Sequence, residues 1–528
     1  MTRPTAHHRV IVVGGGVGGL AAAADLARQG LDVTLLERAA MVGGKLRQVT
    51  LPDPEPSDPS QVPAESGVDA GPTVFTMRWV FEGLFGDAGV ALEDELVLRP
   101  VDVLARHAWG SGGRLDLFAD PQRSAAAIGA FAGAAEARRY LAFCAQARSA
   151  YAALEGPYIR SQRPSLPSMM ADLGLQGSRV LVGLGPFRDL WSALARHFRD
   201  PRLQQLFGRY ATYCGSSPFA APATLMLVAH VETQGVWTVR GGMVEVGRAL
   251  ARLATRKGAR IRTGAHVEAI ELRQGRVCGV RLAGGETLDA DSVVFNGDAQ
   301  ALARGLLGGG VQGAVERIEP QQRSLSAMTW CMRAQTRGFP LVHHNVFFDD
   351  DYRREFRDIF GHGRLPGKAT VYLCAQDRHD DDAPIAAGER LLALVNAPAM
   401  GDLRDLDAEE IETCHTHALD LMQRCGLQLD CPPSQSLLTG PPGFERLFPA
   451  TGGALYGEAC HSWMASFRRP ASWTRVPGLY LAGGSAHPGP GVPMATLSGR
   501  LAAATLMAHL DSTSRSARVH ISGGMSTP

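Results

Sequence analysis

The readable pattern of apolar and polar positions begins with a short apolar run, Val10-Ile11-Val12-Val13, that meets Gly14-Gly15-Gly16-Val17-Gly18-Gly19. An alanine-rich stretch follows, then Val33-Thr34-Leu35-Leu36 ending in Glu37, then Gly43-Gly44-Lys45. This order predicts strand, glycine turn, helix and strand, with an acid at the end of the second strand. Far downstream, Gly241-Gly242-Met243 leads into a helical stretch to about Lys257. Val244, Val246, Leu250 and Leu253 fall near helical spacing there, and Gly258 ends the helix. Short strands are predicted over 260–262, 266–272 and 276–282. A turn at Gly284-Gly285 leads to Thr287-Leu288, and Ser292-Val293-Val294-Phe295 runs into Asn296-Gly297-Asp298. These segments read as a β-meander and a buried strand ending at a polar turn. A third piece, Gly478 to Ser485, is a strand running into a glycine turn. After Gly491-Val492-Pro493-Met494 a helix carries Leu497, Leu501 and Leu506.

Gly14, Gly16 and Gly19 form G-x-G-x-x-G in its proper setting of strand, helix and acidic strand end. The first glycine makes the turn, the second lets a pyrophosphate approach the backbone, and the third lets helix and sheet pack closely. The phosphates then face a helix N-terminus, whose free N–H groups and dipole favour anions. Glu37 is placed to accept from a ribose and favours an adenosine with a free 2′-hydroxyl over NADP. This motif alone leaves FAD and NAD open. The second glycine turn, Gly43-Gly44, tilts the choice to FAD, because it resembles the flavoproteins with two dinucleotide-binding domains.

At 528 residues the chain predicts two domains. Three nucleotide-facing segments so far apart require a discontinuous cofactor domain. Its parts are placed at 1–119, 231–300 and 473–510; a substrate domain takes 120–230 and 301–472, and a disordered tail 511–528. The net charge of +1 provides no field to recruit nucleic acid. Nine scattered cysteines without C-x-x-C argue for a reducing compartment rather than a disulfide framework. No secretory signal is expected, since the nucleotide-binding strand starts by Val10. The sequence contains no run of eighteen apolar residues to span a membrane.

With these segments in hand, the chain resembles the bacterial-type carotenoid desaturases, the phytoene desaturase family. The match runs through the N-terminal fingerprint, Asp69-Ala70-Gly71-Pro72-Thr73-Val74, Gly235-Val236-Trp237 with Arg240-Gly241-Gly242, the Asn296-Gly297-Asp298 turn, and His487-Pro488-Gly489. Within that family it is similar to the 1-hydroxycarotenoid 3,4-desaturases (methoxyneurosporene dehydrogenases) of purple bacteria. Thr76-Met77-Arg78-Trp79 and Ser485-Ala486-His487-Pro488-Gly489-Pro490-Gly491 carry that likeness.

The resemblance implies an α/β fold, with a discontinuous Rossmann-type FAD-binding domain like those of flavin amine oxidases and GDP-dissociation inhibitors. A mixed α+β substrate domain is inserted into it. It implies cofactor contacts at Gly14, Gly16, Gly18, Gly19, Glu37, Arg38, Gly43, Gly44, Lys45, Gly71, Pro72, Thr73, Val267, Asn296, Asp298, Gly484, Ser485, Gly491, Val492, Pro493 and Met494. The reaction implied is C3–C4 desaturation of an acyclic carotenoid by hydride transfer to flavin plus proton loss. The electrons then pass to oxygen or a quinone, and the protein meets the cytoplasmic face of the inner membrane peripherally.

No elaborate triad is expected, because the flavin carries the hard chemistry. His487 and Glu232 are the candidate acid–base residues; the plainer readings are a turn histidine bonded to backbone and a structural carboxylate. Arg78 and Trp79 are candidates to line the substrate tunnel, with Arg78 on a 1-hydroxy end, against a plain packing role. Arg240 offsets pyrophosphate charge or caps a loop. The segment 179–198, with Leu190 and Trp191, is amphipathic, basic and aromatic; it reads as an interfacial segment or as a core-facing helix. Cys414, His415, His417, Cys425 and Cys431 do not complete a metal site, since His415 and His417 point apart on a helix. The rival functions are phytoene desaturase, carotenoid isomerase, amine oxidase and, without catalysis, a prenyl- or lipid-binding chaperone.

Overall fold

The computed structural model describes residues 8–52, 67–162, 188–379 and 388–521, with 167, 169, 171 and 185; side chains are described through 512. Its first sheet is built from the continuous apolar runs. Five parallel strands lie in the order Leu479–Leu481, Ser292–Phe295, Arg9–Val13, Asp32–Leu36, Arg260–Arg262. Val10 aligns with Ser292 and Val13 with Phe295, while Arg9 aligns with Asp32. The central strands are covered on both faces, so Ile11 to Val13 and Val293 to Phe295 run without polar interruption, whereas the edge strand Arg260–Arg262 is partly exposed. Val10, Val12, Val33 and Leu35 pack on one side with the helices Val17–Arg28 and Val244–Arg256 and the helix beginning at Val492. Ile11, Val13 and Leu36 pack on the other side with Val267, Ile270, Val277 and Val280. The predicted meander is thus a three-stranded antiparallel sheet, Val267–Arg273, Arg276–Leu282 and Thr287–Asp289, laid across that face. Arg260–Arg262 stands outside it as the edge strand of the parallel sheet.

The second sheet has eight strands and forms the floor of the other half. Its long central strands Ser326–Arg337, Glu389–Ala397 and Val371–Ala375 are antiparallel. On its outer face Trp330, Met332, Leu391 and Val395 meet the helix Ala408–Arg424. The alternate residues Tyr372, Leu392, Leu394 and Asn396 point the other way, into a cavity. Two strands depart from the expected division. Val103–Trp109 and Arg114–Phe118, placed by sequence in the cofactor unit 1–119, are hydrogen-bonded into this second sheet through His344–Phe348. Ala301, Leu302 and Leu307, assigned to the substrate unit, pack with the meander. Turn residues predict these elements' ends, but the sheet that a strand joins is decided by pairing far along the chain.

A helical layer closes the cavity. Pro121–Ala132, Ala134–Leu154, Leu190–His197 and Pro201–Gly208 pack around Phe143, Phe198 and Phe207. Asp120, Asp189 and Asp200 cap three of these helices by accepting from first-turn backbone N–H groups. The C-terminal helix runs Val492–Ile521. Residues 511–521, expected to be disordered, therefore continue a helix; 522–528 lie outside the described residues.

Candidate active site

A cavity of about 1270 Å³ lies between the C-terminal ends of the parallel strands and the inner face of the second sheet. Strand ends of this kind are where ligands sit in doubly wound sheets. Every cofactor residue named from the sequence lines this cavity except Gly19. Gly19 acts one layer behind: a Cβ there would stand 2.1 Å from the carbonyl oxygen of Gly14. It is the point where helix and strand touch, as the third glycine of the motif requires.

The residues present fit FAD. Glu37, 8% exposed, accepts from the backbone N–H of Gly15 (2.6 Å) and of Ala39 (2.8 Å). A carboxylate has about four lone-pair sites, so capacity remains for ribose hydroxyls. Gly16 precedes the helix Val17–Arg28 with no side-chain cap, leaving first-turn N–H groups for phosphate oxygens. Gly43, at φ +125, returns the chain so that its N–H donates to the Gly15 carbonyl at 2.8 Å. The two glycine turns form one cradle. Asn296 closes it by donating to the Gly14 carbonyl at 3.2 Å, and the first turn of the C-terminal helix, Val492 to Met494, forms the facing wall. Asp69 ties two cofactor segments together by accepting from the backbone N–H of Met243 at 2.5 Å.

Lys45 and Asp298 add two further charges to this half. Burial lowers the pKa of Lys45, partly offset by Asp298, and raises that of Asp298. The Lys45 ammonium donates to the Leu455 carbonyl and lies 5.3 Å from the centre of the Phe448 ring. Asp298 caps the short helix Ala299–Ala303, accepting from Gln300 N–H at 2.9 Å.

The other half of the cavity is apolar, with Leu225, Leu227, Val228, Leu392 and Leu394 among its walls. A charged cluster interrupts it. Glu232 accepts from the hydroxyls of Tyr210 (2.7 Å) and Tyr213 (2.9 Å). Arg209 donates to the Tyr213 hydroxyl at 3.0 Å, and its guanidinium lies 5.1 Å from the Tyr213 ring centre and 5.3 Å from that of Tyr372. The Tyr372 hydroxyl lies 2.7 Å from both Thr73 Oγ1 and His344 Nδ1. Burial raises the pKa of Glu232, opposed by the two tyrosine hydrogen bonds and by Arg209. Its residual exposure is toward the cavity it lines.

Sequence reasoning missed Arg209, Tyr213, His344 and Tyr372, because they come from separate segments with no shared motif. It also placed several residues here that lie elsewhere. Met77, at φ +48, starts the helix Arg78–Asp87 in a left-handed turn; Met77 lines the cavity while Arg78 turns out to pair with Glu82 and Glu93. Trp79 packs against the first core, covered by the Arg160 guanidinium at 3.8 Å. His487, 2% exposed, does not line the cavity. Its Nε2 lies 3.0 Å from the carbonyl oxygens of Tyr158 and Ser161, and burial lowers its pKa to about 4. It is the backbone-bonded turn histidine. Arg240 is exposed beside the Gly241-Gly242 turn and is not a wall of this cavity.

Residues 179–187 of the amphipathic segment, apart from Gly185, lie outside the described residues. In the remainder the apolar side faces inward, while Arg188, Ser192 and Arg196 are exposed. Leu190 and Leu194 are fully buried, and Trp191 packs on Phe219 and Tyr352. On the helix Ala408–Arg424, Cys414 is buried, His415 stacks on Trp330 and His417 is exposed, so their ligand atoms do not converge. His343, His344 and Cys374 do bring ligand atoms within 4.8 Å of one another, a cluster that no spacing along the chain marks. Burial raises the Cys374 thiol pKa and His344 is engaged by Tyr372, which disfavours a metal-binding thiolate there.

Fold and cavity together define an FAD-dependent oxidoreductase. The family model of flavin containing amine oxidoreductases matches residues 17–507. A putrescine oxidase structure shares the fold, with a TM-score of 0.57 at 15% identity, over 96% of this chain and 100% of that one. A hydroxyneurosporene desaturase of Rubrivivax gelatinosus is 60% identical over 528 residues, 100% of this chain and 98% of that protein. Another, from Cereibacter sphaeroides, is 46% identical over 96% of this chain and 99% of that protein. The chain belongs to the carotenoid desaturase family of flavin-containing amine oxidoreductases.

Proposed function

We propose that the protein introduces the C3–C4 double bond into acyclic carotenoids with a 1-hydroxy or 1-methoxy end, such as 1-hydroxyneurosporene, in spheroidene- or spirilloxanthin-type carotenoid synthesis. The full-length 60% identity to a hydroxyneurosporene desaturase carries this reading. The apolar half-cavity opening onto the cofactor cradle supports it. FAD, when bound, supplies the hydride acceptor.

The chain contributes placement, dryness and a base. Leu225, Leu227, Val228, Leu392 and Leu394 hold the polyene and exclude water that would trap a substrate cation. That cation is allylic to the polyene, so the neighbouring C–H bond is acidic and a weak base suffices. Glu232 is that base. Burial makes its carboxylate more basic than an exposed glutamate, and Tyr210 and Tyr213 fix its orientation. The carotenoid dissolves in lipid, so the protein meets it through peripheral contact with the cytoplasmic face of the membrane; oxygen or a quinone takes the electrons. Among the described residues no helix is long and apolar enough to cross a membrane.

The test is anaerobic addition of 1-hydroxyneurosporene to oxidised holoenzyme. Stoichiometric bleaching of the flavin band with a product lengthened by one conjugated double bond is expected. Bleaching by phytoene alone would move the assignment to phytoene desaturation, and an oxidised spectrum that persists while product forms would move it to isomerisation.

A further inference from the structure

Arg209 is a half-buried cation on the cavity wall that no carboxylate among the described residues touches; Glu232 reaches it only through the Tyr213 hydroxyl they share. Among the described residues it forms no ion pair within 4.0 Å, and its single hydrogen bond is the one donated to Tyr213. The guanidinium carbon lies over the rings of Tyr213 and Tyr372, and the one hydrogen bond to the Tyr213 hydroxyl leaves its other N–H groups without a protein acceptor among the described residues. A guanidinium has five N–H donors in a planar fork. Holding one in a mainly apolar cavity with donors unused costs free energy unless a ligand acceptor meets them.

The position of Arg209 limits which acceptor that is. Tyr372, under the guanidinium, is hydrogen-bonded to Thr73, next to Gly71 and Pro72 of the cofactor cradle. Arg209 therefore lies near the cradle segment Gly71 to Thr73, and on the proposed function that side of the cavity is the reacting end. In a carotenoid desaturated at C3–C4, the oxygen on C1 is only about 4 Å from the reacting carbons, counting roughly 1.5 Å per bond. A group that reads that oxygen has to lie there and not at the far end of the tunnel.

We propose that Arg209 donates hydrogen bonds to the oxygen on C1 of the substrate and so selects oxygenated over hydrocarbon chain ends. The role rests on the proposed substrate. It replaces Arg78, whose guanidinium faces outward, as the reader of that oxygen. Arginine only donates, so a tertiary hydroxyl and its methyl ether are equivalent ligands for it. A site built around an acceptor would take the hydroxyl and refuse the ether.

The experiment measures binding to full-length holoenzyme by quenching of tryptophan fluorescence. The ligands are 1-hydroxyneurosporene, 1-methoxyneurosporene and neurosporene, each in detergent micelles. The wild type is expected to bind both oxygenated ligands roughly ten-fold or more tighter than neurosporene. Arg209→Met should erase that preference while leaving neurosporene binding and FAD content unchanged, and Arg209→Lys should retain part of it. Tyr213→Phe, which keeps the charge but removes its anchor, should reduce the preference severalfold and serves if the methionine variant does not fold. A preference that survives in Arg209→Met overturns the role of Arg209 and leaves the substrate reading standing. Lost FAD with an intact preference assigns Arg209 to the cofactor instead. A wild type with no preference overturns both this role and the substrate reading.

Discussion

The backbone N–H of Gly15 donates to the carboxylate of Glu37 at 2.6 Å, so the acid at the end of the second strand holds the phosphate turn in shape from behind. The same carboxylate also accepts from Ala39. Glu37→Ala is therefore expected to weaken FAD binding in two ways, by losing a ribose acceptor and by leaving a buried N–H unpaired. The loss should be about 1–3 kcal/mol, read as FAD affinity in reconstitution of apoprotein. Wild-type affinity in Glu37→Ala would remove Glu37 from the cofactor site.

Glu232→Gln should lower kcat by about 10²-fold or more with FAD content unchanged, as for loss of a general base. Burial raises the Glu232 pKa, so the wild-type rate should fall on acidification at a pH above the ordinary glutamate range. The glutamine variant should lack that limb. A shared pH profile would assign the proton to another acceptor.

Glu355 offers a stability test separate from catalysis. It is 1% exposed, accepts from Thr370 N–H (2.9 Å) and Oγ1–H (2.8 Å) and from Asn396 Nδ2–H (2.8 Å), and burial pushes its pKa up to about 7. The folded state then keeps a proton that the unfolded chain releases near pH 4.5. Stability is fully present below that value and falls as pH rises through 7, by roughly 3 kcal/mol at most. Thermal melts from pH 5 to 8 should show this decline in the wild type and a flatter dependence in Glu355→Gln. Parallel curves would mean that Glu355 ionises as an ordinary carboxylate.

Gly499→Ala places a methyl 2.0 Å from the Gly18 carbonyl oxygen, where the C-terminal helix crosses the fingerprint helix. Both partners are backbone, so a rotamer change cannot relieve the clash. Overpacking of this kind costs about 1–3 kcal/mol or more. Differential scanning calorimetry should record a Tm lowered by about 1–3 °C, along with weaker FAD retention. An unchanged Tm would show that the two helices can separate freely.

The cofactor half was legible because its signals are local. A buried strand, a glycine turn and an acidic strand end sit within one stretch, and Val244 to Leu253 declare their helix by spacing alone. The substrate half was not. Arg209, Tyr213, Glu232, Tyr372 and Thr73 meet only after two helical segments, a loop and a strand of the second sheet are brought together, and no periodicity encodes that meeting. Arg78 was misplaced for a different reason. The left-handed turn at Met77 rotates the next residue out of the cavity, and nothing in Thr76-Met77-Arg78-Trp79 announces it. Leu190 and Trp191 show a third limit. An amphipathic face has the same spacing whether lipid or protein covers it, and here Phe219, Tyr352 and the second core do so.

The strand order of the parallel sheet also bears on how the protein is made. Arg9–Val13 sits between partners that are synthesised later, and the wall at Val492 to Met494 is added after nearly all the rest. A chain emerging at roughly 5–20 residues per second exposes the fingerprint long before it can enclose anything. Flavin capture is then an event of the finished chain, and truncation upstream of Gly478 should yield a protein that carries the nucleotide motif and stays colourless.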